Sequence, residues 1–131
     1  MEAKNLILYA DDDGDDRDML ESIFSSHSGY RFRTFPDGQA LLDYIDGGEK
    51  NQICLIVLDI NMPRLGGIET LRQLRQDIQL VDLPVIVFTT SSSPGDRISA
   101  ESLGASVFTK PNSLAEIAEV GQKMLALCTG E

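Results

Sequence analysis

Six aspartates crowd residues 11–18, "DDDGDDRD", directly behind the apolar run "LILYA" (6–10). Like charges this close repel one another and resist burial, so they either line a solvated surface or face something positive. Three other apolar segments end in polar groups. "CLIVLDI" (54–60) delivers Asp59, "PVIVFTT" (84–90) delivers Thr89 and Thr90 ahead of a run of serines, and "SVFT" (106–109) delivers Lys110 and Pro111. Carboxylates with hydroxyls and a lysine, without His or Cys, form a hard oxygen set suited to Mg2+ rather than zinc. An aspartate beside such a cation and a lysine can attack a phosphoryl group. The metal and the ammonium neutralise its equatorial oxygens while Thr89 donates a hydrogen bond. On this reading the first aspartates, Asp11 and Asp12, hold the metal. Asp15, Asp16, Asp18 and Glu21 belong to the start of a helix, favoured by its macrodipole, and otherwise face water.

Each group taken alone says little. Paired aspartates are often turn residues, a threonine is an ordinary strand residue, and a Lys-Pro step has no meaning by itself. The signal is the combination, and it requires elements that bring four chain segments to one edge. "LILYA", "CLIVLDI" and "PVIVFTT" are rich in aliphatic residues and do not alternate with polar ones, as strands buried on both faces read. "YRFRTF" (30–35) and "SVFT" are weaker strand candidates. Between them lie helix-period faces: Met19, Leu20, Ile23 and Phe24; Leu41, Leu42 and Ile45; Ile68, Leu71 and Leu74. A later helix opens on Ser93, Pro94 and Asp96. The last opens on the capping box of Ser113 and Glu116 and turns Leu114, Ile117, Met124 and Leu125 inward. Strand and helix alternate five times, which implies a doubly wound parallel sheet with helices on both faces. Ligands of such a sheet bind beyond the carboxyl ends of its strands, where all four polar groups fall.

The chain's 131 residues suit one domain with one core, and the expectation is a single unit over 1–131 with no second, output domain. A net charge of −10 argues against gripping nucleic acid or an anionic membrane, and permits a cation or a basic partner surface. Cys54 and Cys128 are far apart and in no metal-like spacing. Two cysteines give no disulfide framework, so Cys54 reads as a small core residue and the compartment as reducing. The short N-terminal apolar run is neither a signal peptide nor a membrane span, which leaves a cytoplasmic location as the expectation.

The stretches "ILYADDDGDDR", "LIVLDINMPRLGGIETLRQLR", "LPVIVFTTSSS", "LGAS" and "TKP" together resemble the receiver domain of two-component response regulators, over essentially the whole chain. The resemblance implies a flavodoxin-like (βα)5 fold with strand order 2-1-3-4-5. It implies a phosphoacceptor switch, not a turnover enzyme, that takes a phosphoryl group onto Asp59 from a histidine kinase or histidine phosphotransfer protein. Asp12 would ligate Mg2+ directly, Asp11 through water, and Asn61 through its backbone carbonyl. Thr89 and Lys110 would follow the phosphoryl group, and the Lys110–Pro111 bond would be cis. A downstream protein would read the face made by helix 4, strand 5 and helix 5.

Three departures bear on the switch. Gly66, followed by Gly67, stands where the family often has an acidic or amide residue, so a local change of that loop is expected. The small, polar run at 91–93 is expected to leave the phosphorylation edge open. The segment from Gly104 to Lys110 is one residue short of the usual pattern, placing Val107 three residues before the lysine and Phe108 two before. Either the family register is kept, with Val107 at the switch position and Phe108 in the core, or a bulge beside Lys110 returns the aromatic to that position. The restraint of Pro111 favours the first. Rival readings are a degenerate receiver used as an interaction module and an FMN-binding electron carrier, whose phosphate "DDDGDD" would repel. An aspartate phosphohydrolase is a third, but Asn61 stands where its second aspartate belongs.

Overall fold

The computed structural model describes residues 4–90 and 93–129. Along the chain lie β1 (Leu6–Ala10), α1 (Gly14–Ser25), β2 (Arg31–Phe35), α2 (Gly38–Asp46), a 3-10 turn (Lys50–Gln52) and β3 (Ile53–Leu58). There follow α3 (Gly67–Arg75), β4 (Val85–Thr89), α4 (Pro94–Ser102), β5 (Ser106–Thr109) and α5 (Leu114–Thr129). The strands form one parallel sheet in the order 2-1-3-4-5. β1, β3 and β4 are buried at every residue, and β2 and β5, at the sheet edges, are half-buried. That division explains why only the inner strands read as unbroken apolar runs.

Two apolar layers flank the sheet. Leu6, Leu8, Ile56, Leu58, Val85 and Val87 pack against Leu41, Ile45, Ile68, Leu71, Leu74 and Ala100 of α2, α3 and α4. Ile7, Tyr9, Leu55, Val57, Ile86 and Phe88 pack against Leu20, Phe24, Met124 and Leu125 of α1 and α5. The starts of α1, α2, α4 and α5 are built by side-chain caps: Asp13 accepts from the Asp15 and Asp16 amides, Asp37 from Ala40, Ser93 from Asp96 and Ser113 from Glu116. Leu114 is exposed rather than turned inward, since it stands in the first turn of α5, ahead of Ile117, the first buried residue of that helix. Arg75, at the end of α3, donates to the carbonyls of Leu80, Leu83 and Leu103, tying the segments that lead into β4 and β5 to one side chain. Ser91 and Ser92, in the polar run expected to leave the edge open, lie outside the described residues.

Two expectations are corrected here. The Lys110–Pro111 bond is trans, not cis. The Lys110 amide donates to the Thr89 carbonyl at 2.7 Å, so the β4–β5 ladder simply runs one residue further before the proline. Cys54 and Cys128 form a disulfide, with their Cα atoms 4.8 Å apart. Its cause is a register shift between Leu6 and Ile7 where β1 meets β3, so that Cys54 and Leu55 both join the α1–α5 layer. Spacing along the chain gives no hint of this. The pairing removes the cysteine-based ground for a reducing compartment. Among the described residues no helix is long and apolar enough to cross a membrane.

β4 and β5 pair without a bulge, Val87 with Val107, Phe88 with Phe108 and Thr89 with Thr109. Val107 packs on the α2–α3–α4 layer and Phe108 on the α1–α5 layer. The regular register therefore holds, but Phe108 is half-buried, because the strand that carries it is the last of the sheet. Phe108→Ala should destabilise the fold by about 2–3 kcal/mol, below the value for a sealed aromatic, in equilibrium denaturation. A loss under about 0.5 kcal/mol would mean that the ring contributes no packing.

Candidate functional site

β1, β3, β4 and β5 end at the same edge, and the next residues of each strand carry the polar groups. Asp11 follows β1 and Asp59 follows β3, held in line by the Asp59 amide donating to the Ala10 carbonyl at 3.0 Å. One carboxylate oxygen each of Asp11, Asp12 and Asp59 lies within 4.8 Å of the other two. Asp11 is fully buried, Asp59 is 9% exposed and Asp12 is open to solvent. Lys110 enters from the end of β5, its side chain 9% exposed. Its Nζ donates to Asp11 Oδ2 at 2.6 Å, to Asp16 Oδ2 at 2.8 Å and, more weakly, to Asp59 Oδ2 at 3.4 Å. Thr89 is buried at the end of the strand between Asp59 and Lys110. Asn61, exposed, lies in the loop that leads from β3 to α3.

A buried carboxylate must have its lone pairs satisfied. Asp11 accepts from the Tyr9 hydroxyl and Lys110 on one oxygen and from the Asp13 amide on the other. Tyr9 lies two residues back on the same strand face and is itself fully buried. Burial first, and the neighbouring Asp11 carboxylate second, raise its pKa far above the usual phenol range, so it serves only as a donor. Arg17 Nη1 donates to the Asp11 carbonyl at 2.6 Å and ties α1 to the end of β1.

The loop after Asp59 is fastened from two sides. A Cβ at Gly67 would overlap the Asp59 carbonyl oxygen, so glycine lets the first turn of α3 press against the backbone of Asp59. On the other side the Gly38 amide donates to the Leu65 carbonyl at 3.1 Å, and Arg64, in the left-handed region at φ 64°, pairs with the buried Asp37 at 3.3 Å.

The structure brings Asp11, Asp12, Asp59 and Lys110 together and sets Thr89 beside them. It does not leave Asp16 to water as expected: the side chain turns back over the start of α1 to Lys110. Helical side chains lean toward the helix N-terminus, and the third residue after the cap therefore overhangs whatever lies in front of it. Asp15, Asp18 and Glu21 do face solvent. Tyr9, Asp16 and Arg17 are the site residues that pattern reading passed over. The spacing of Tyr9 to Asp11, two apart on a strand, was the signal for the first.

Burial of the Lys110 ammonium alone would lower its pKa. Hydrogen bonds to Asp11 and Asp16 and the charges of Asp11 and Asp59 outweigh that and hold it above the ordinary lysine range. Asp59 is pushed the other way. Burial and then the Asp11 charge raise its pKa to about 6, against the opposing pull of Lys110 and the Ile60 amide. A carboxyl raised on folding stabilises the fold fully below its unfolded value of 3.8, and that contribution is lost as pH rises through about 6. Without divalent cation, stability from this group should fall by about 3 kcal/mol between about pH 4 and 7. Asp59→Asn should then be the more stable protein at about pH 7, by the same order, in denaturant titrations with a chelator present. Equal stabilities there would show that folding does not raise the Asp59 pKa.

The model of the response regulator receiver domain matches residues 7–121. The chain is 33% identical over 127 residues to the chemotaxis protein CheV2 of Helicobacter pylori, covering 96% of this chain and 40% of that protein. It is 38% identical over 112 residues to the response regulator MprA of a Mycobacterium species, covering 85% of this chain and 46% of that one. It thus spans less than half the length of these relatives. Among solved structures, the Mn2+-bound form of the response regulator Rcp1 superposes with a TM-score of 0.81 at 25% identity, covering 93% of this chain and 92% of the other.

Proposed function

Because the chain belongs to the receiver-domain family of response regulators, we propose that it is a phosphoacceptor switch of a two-component system or phosphorelay, with Asp59 as the acceptor. The observation that carries this reading is the convergence of three aspartates and one lysine, from three different strands, at one edge of the sheet. A lone surface acid needs no such arrangement. A buried carboxylate placed between another carboxylate and an ammonium is poised for group transfer.

The donor set fits a divalent cation. It is all oxygen, its members come within ligand spacing, and Asp12 and Asn61 are open to the outside. Asp12 and Asp59 would bind the metal directly together with the Asn61 carbonyl, and Asp11, whose oxygens already hold Tyr9, Lys110 and an amide, through water. When bound, Mg2+ would offset the repulsion among the carboxylates and neutralise the incoming phosphoryl oxygens.

Asp59 then attacks the phosphorus of a phosphohistidine on a histidine kinase or histidine phosphotransfer protein. The P–O bond to the carboxylate forms as the P–N bond breaks, and the imidazole leaves with the bonding pair. Lys110 pairs with the phosphoryl oxygens and the Thr89 hydroxyl donates to one of them. The movement of Thr89 is felt by Val107, which packs on the same side of the sheet as α4, and the face of α4, β5 and α5 passes it to a downstream protein. A histidine kinase partner places this chemistry in the cytoplasm.

Incubation with acetyl phosphate and Mg2+ should add one phosphoryl group, as an increase in intact mass, and Asp59→Asn should abolish it. Asp12→Ala should weaken Mg2+ binding far more than Asp15→Ala, since only the former belongs to the cluster. Labelling that survives Asp59→Asn would overturn the acceptor assignment, and equal effects of the two alanine variants would reduce the metal site to a diffuse charge effect.

A further inference from the structure

The Asp16–Lys110 pair is not required by any step above. It joins residues 94 apart in sequence, at 2.8 Å, across the gap between α1 and the end of β5. Its surroundings are one-sided. Met19, Leu20, Phe88, Pro111 and Ile117 line the slot next to it, and the Lys110 Nζ lies 5.9 Å from the centre of the Phe88 ring. In such surroundings a charge-assisted hydrogen bond is stronger than it would be in water.

The ammonium faces three carboxylates, and the distances rank them. Asp11 and Asp16 hold it closely, and Asp59, the acceptor, lies furthest at 3.4 Å. Asp11 is fully buried and locked by Tyr9 and the Asp13 amide, so it does not follow the lysine. Asp16 is different. Its side chain is 27% exposed, and water can replace the lysine as its partner. To meet a phosphoryl group on Asp59, the ammonium must give up contact with Asp16. Whatever free energy Asp16 contributes to the resting position is then subtracted from the phosphorylated one.

We propose that Asp16 is a positioning residue, which holds the Lys110 ammonium back from Asp59 at rest and so sets how readily a phosphoryl group captures it. This deepens, and rests on, the assignment of Asp59 as acceptor. The effect is a resistance built into the unphosphorylated state. It slows phosphorylation and shortens the life of the acyl phosphate, because the lysine has a competing carboxylate to return to.

The test separates this from the acceptor assignment by reading Lys110 directly. In nitrogen-detected NMR of the full chain, the Lys110 ammonium is visible while it is held in hydrogen bonds. Asp16→Asn should shift or broaden that signal and Asp15→Asn, the same charge change one residue away on the open side, should not. With acetyl phosphate and Mg2+, Asp16→Asn should be phosphorylated about tenfold faster, the order expected for loss of one charge-assisted hydrogen bond. Asp16→Glu, which keeps the charge, should return toward the wild-type rate. The acceleration should vanish when Lys110→Ala is added, an outcome that a general loosening of α1 would not produce. An Asp16→Asn rate equal to that of Asp15→Asn, or an acceleration that persists without Lys110, would overturn the proposal. Should the wild-type chain take no label at all, the acceptor assignment fails. The ammonium spectrum then still decides: a signal unmoved in Asp16→Asn would show that Asp16 does not hold the lysine.

Discussion

Everything at the carboxyl edge of the sheet depends on one ammonium group. Asp11 is sealed from water, and a sealed carboxylate is tolerable only if a charge of opposite sign and enough donors reach it. Lys110 supplies the charge from the far edge strand. It can do so only because β3 and β4 lie between β1 and β5 in the sheet and align all four strand ends. Strand order, the extension of the β4–β5 ladder to Lys110, and the anchoring of the turn before β5 by Arg75 all serve that reach. The sheet thus carries a charge pattern as well as a core.

The same constraint fixes what stands around Asp59. Its backbone is pinned by Ala10 on one side and crowded by Gly67 on the other, and the loop beyond is tied to the start of α2. A carboxylate whose pKa is raised by burial and then by a neighbouring carboxylate is held in an unfavourable place, and a rigid frame is needed to keep it from relaxing outward. The departure at Gly66 and Gly67 fits this frame. A Cβ at Gly66 would crowd the Ile60 carbonyl oxygen and one at Gly67 would overlap that of Asp59, so the packing favours glycine at both.

Much of this was legible in the sequence because it is periodic or sits at strand ends. The inner strands announced themselves as unbroken apolar runs, and β5 was placed residue for residue from "SVFT". Asp11, Asp12, Asp59, Thr89 and Lys110 stood out because each ends or follows an apolar segment, and the fold sets those segment ends at one edge of the sheet. What escaped depends on direction rather than order. The lean of a helical side chain took Asp16 out of the solvated face to which its neighbours belong. One irregular pairing between β1 and β3 aimed Cys54 at a helix 74 residues away. The bond at Pro111 differs for another reason: the cis form is an expectation from the family alone, and nothing in the local residues demands it.

The disulfide divides the molecule topologically. It closes residues 54–128 into a covalent ring that contains Asp59, Thr89 and Lys110, while Asp11, Asp12 and Asp16 lie on the open tail before it. A single backbone cut inside the ring leaves all of its pieces bonded to one another. A cut in the turn between Gly47 and Lys50 instead yields two separate chains, one bearing β1, β2 and the acidic residues of 11–18, the other Asp59 and Lys110. With the bond reduced, cuts on either side release fragments. The pattern of products from limited digestion therefore distinguishes the oxidised from the reduced protein, and non-covalent contacts, among them the sheet, the packing of α1 on α5 and the Lys110 ammonium, then hold the half with the acidic residues to the half with Asp59.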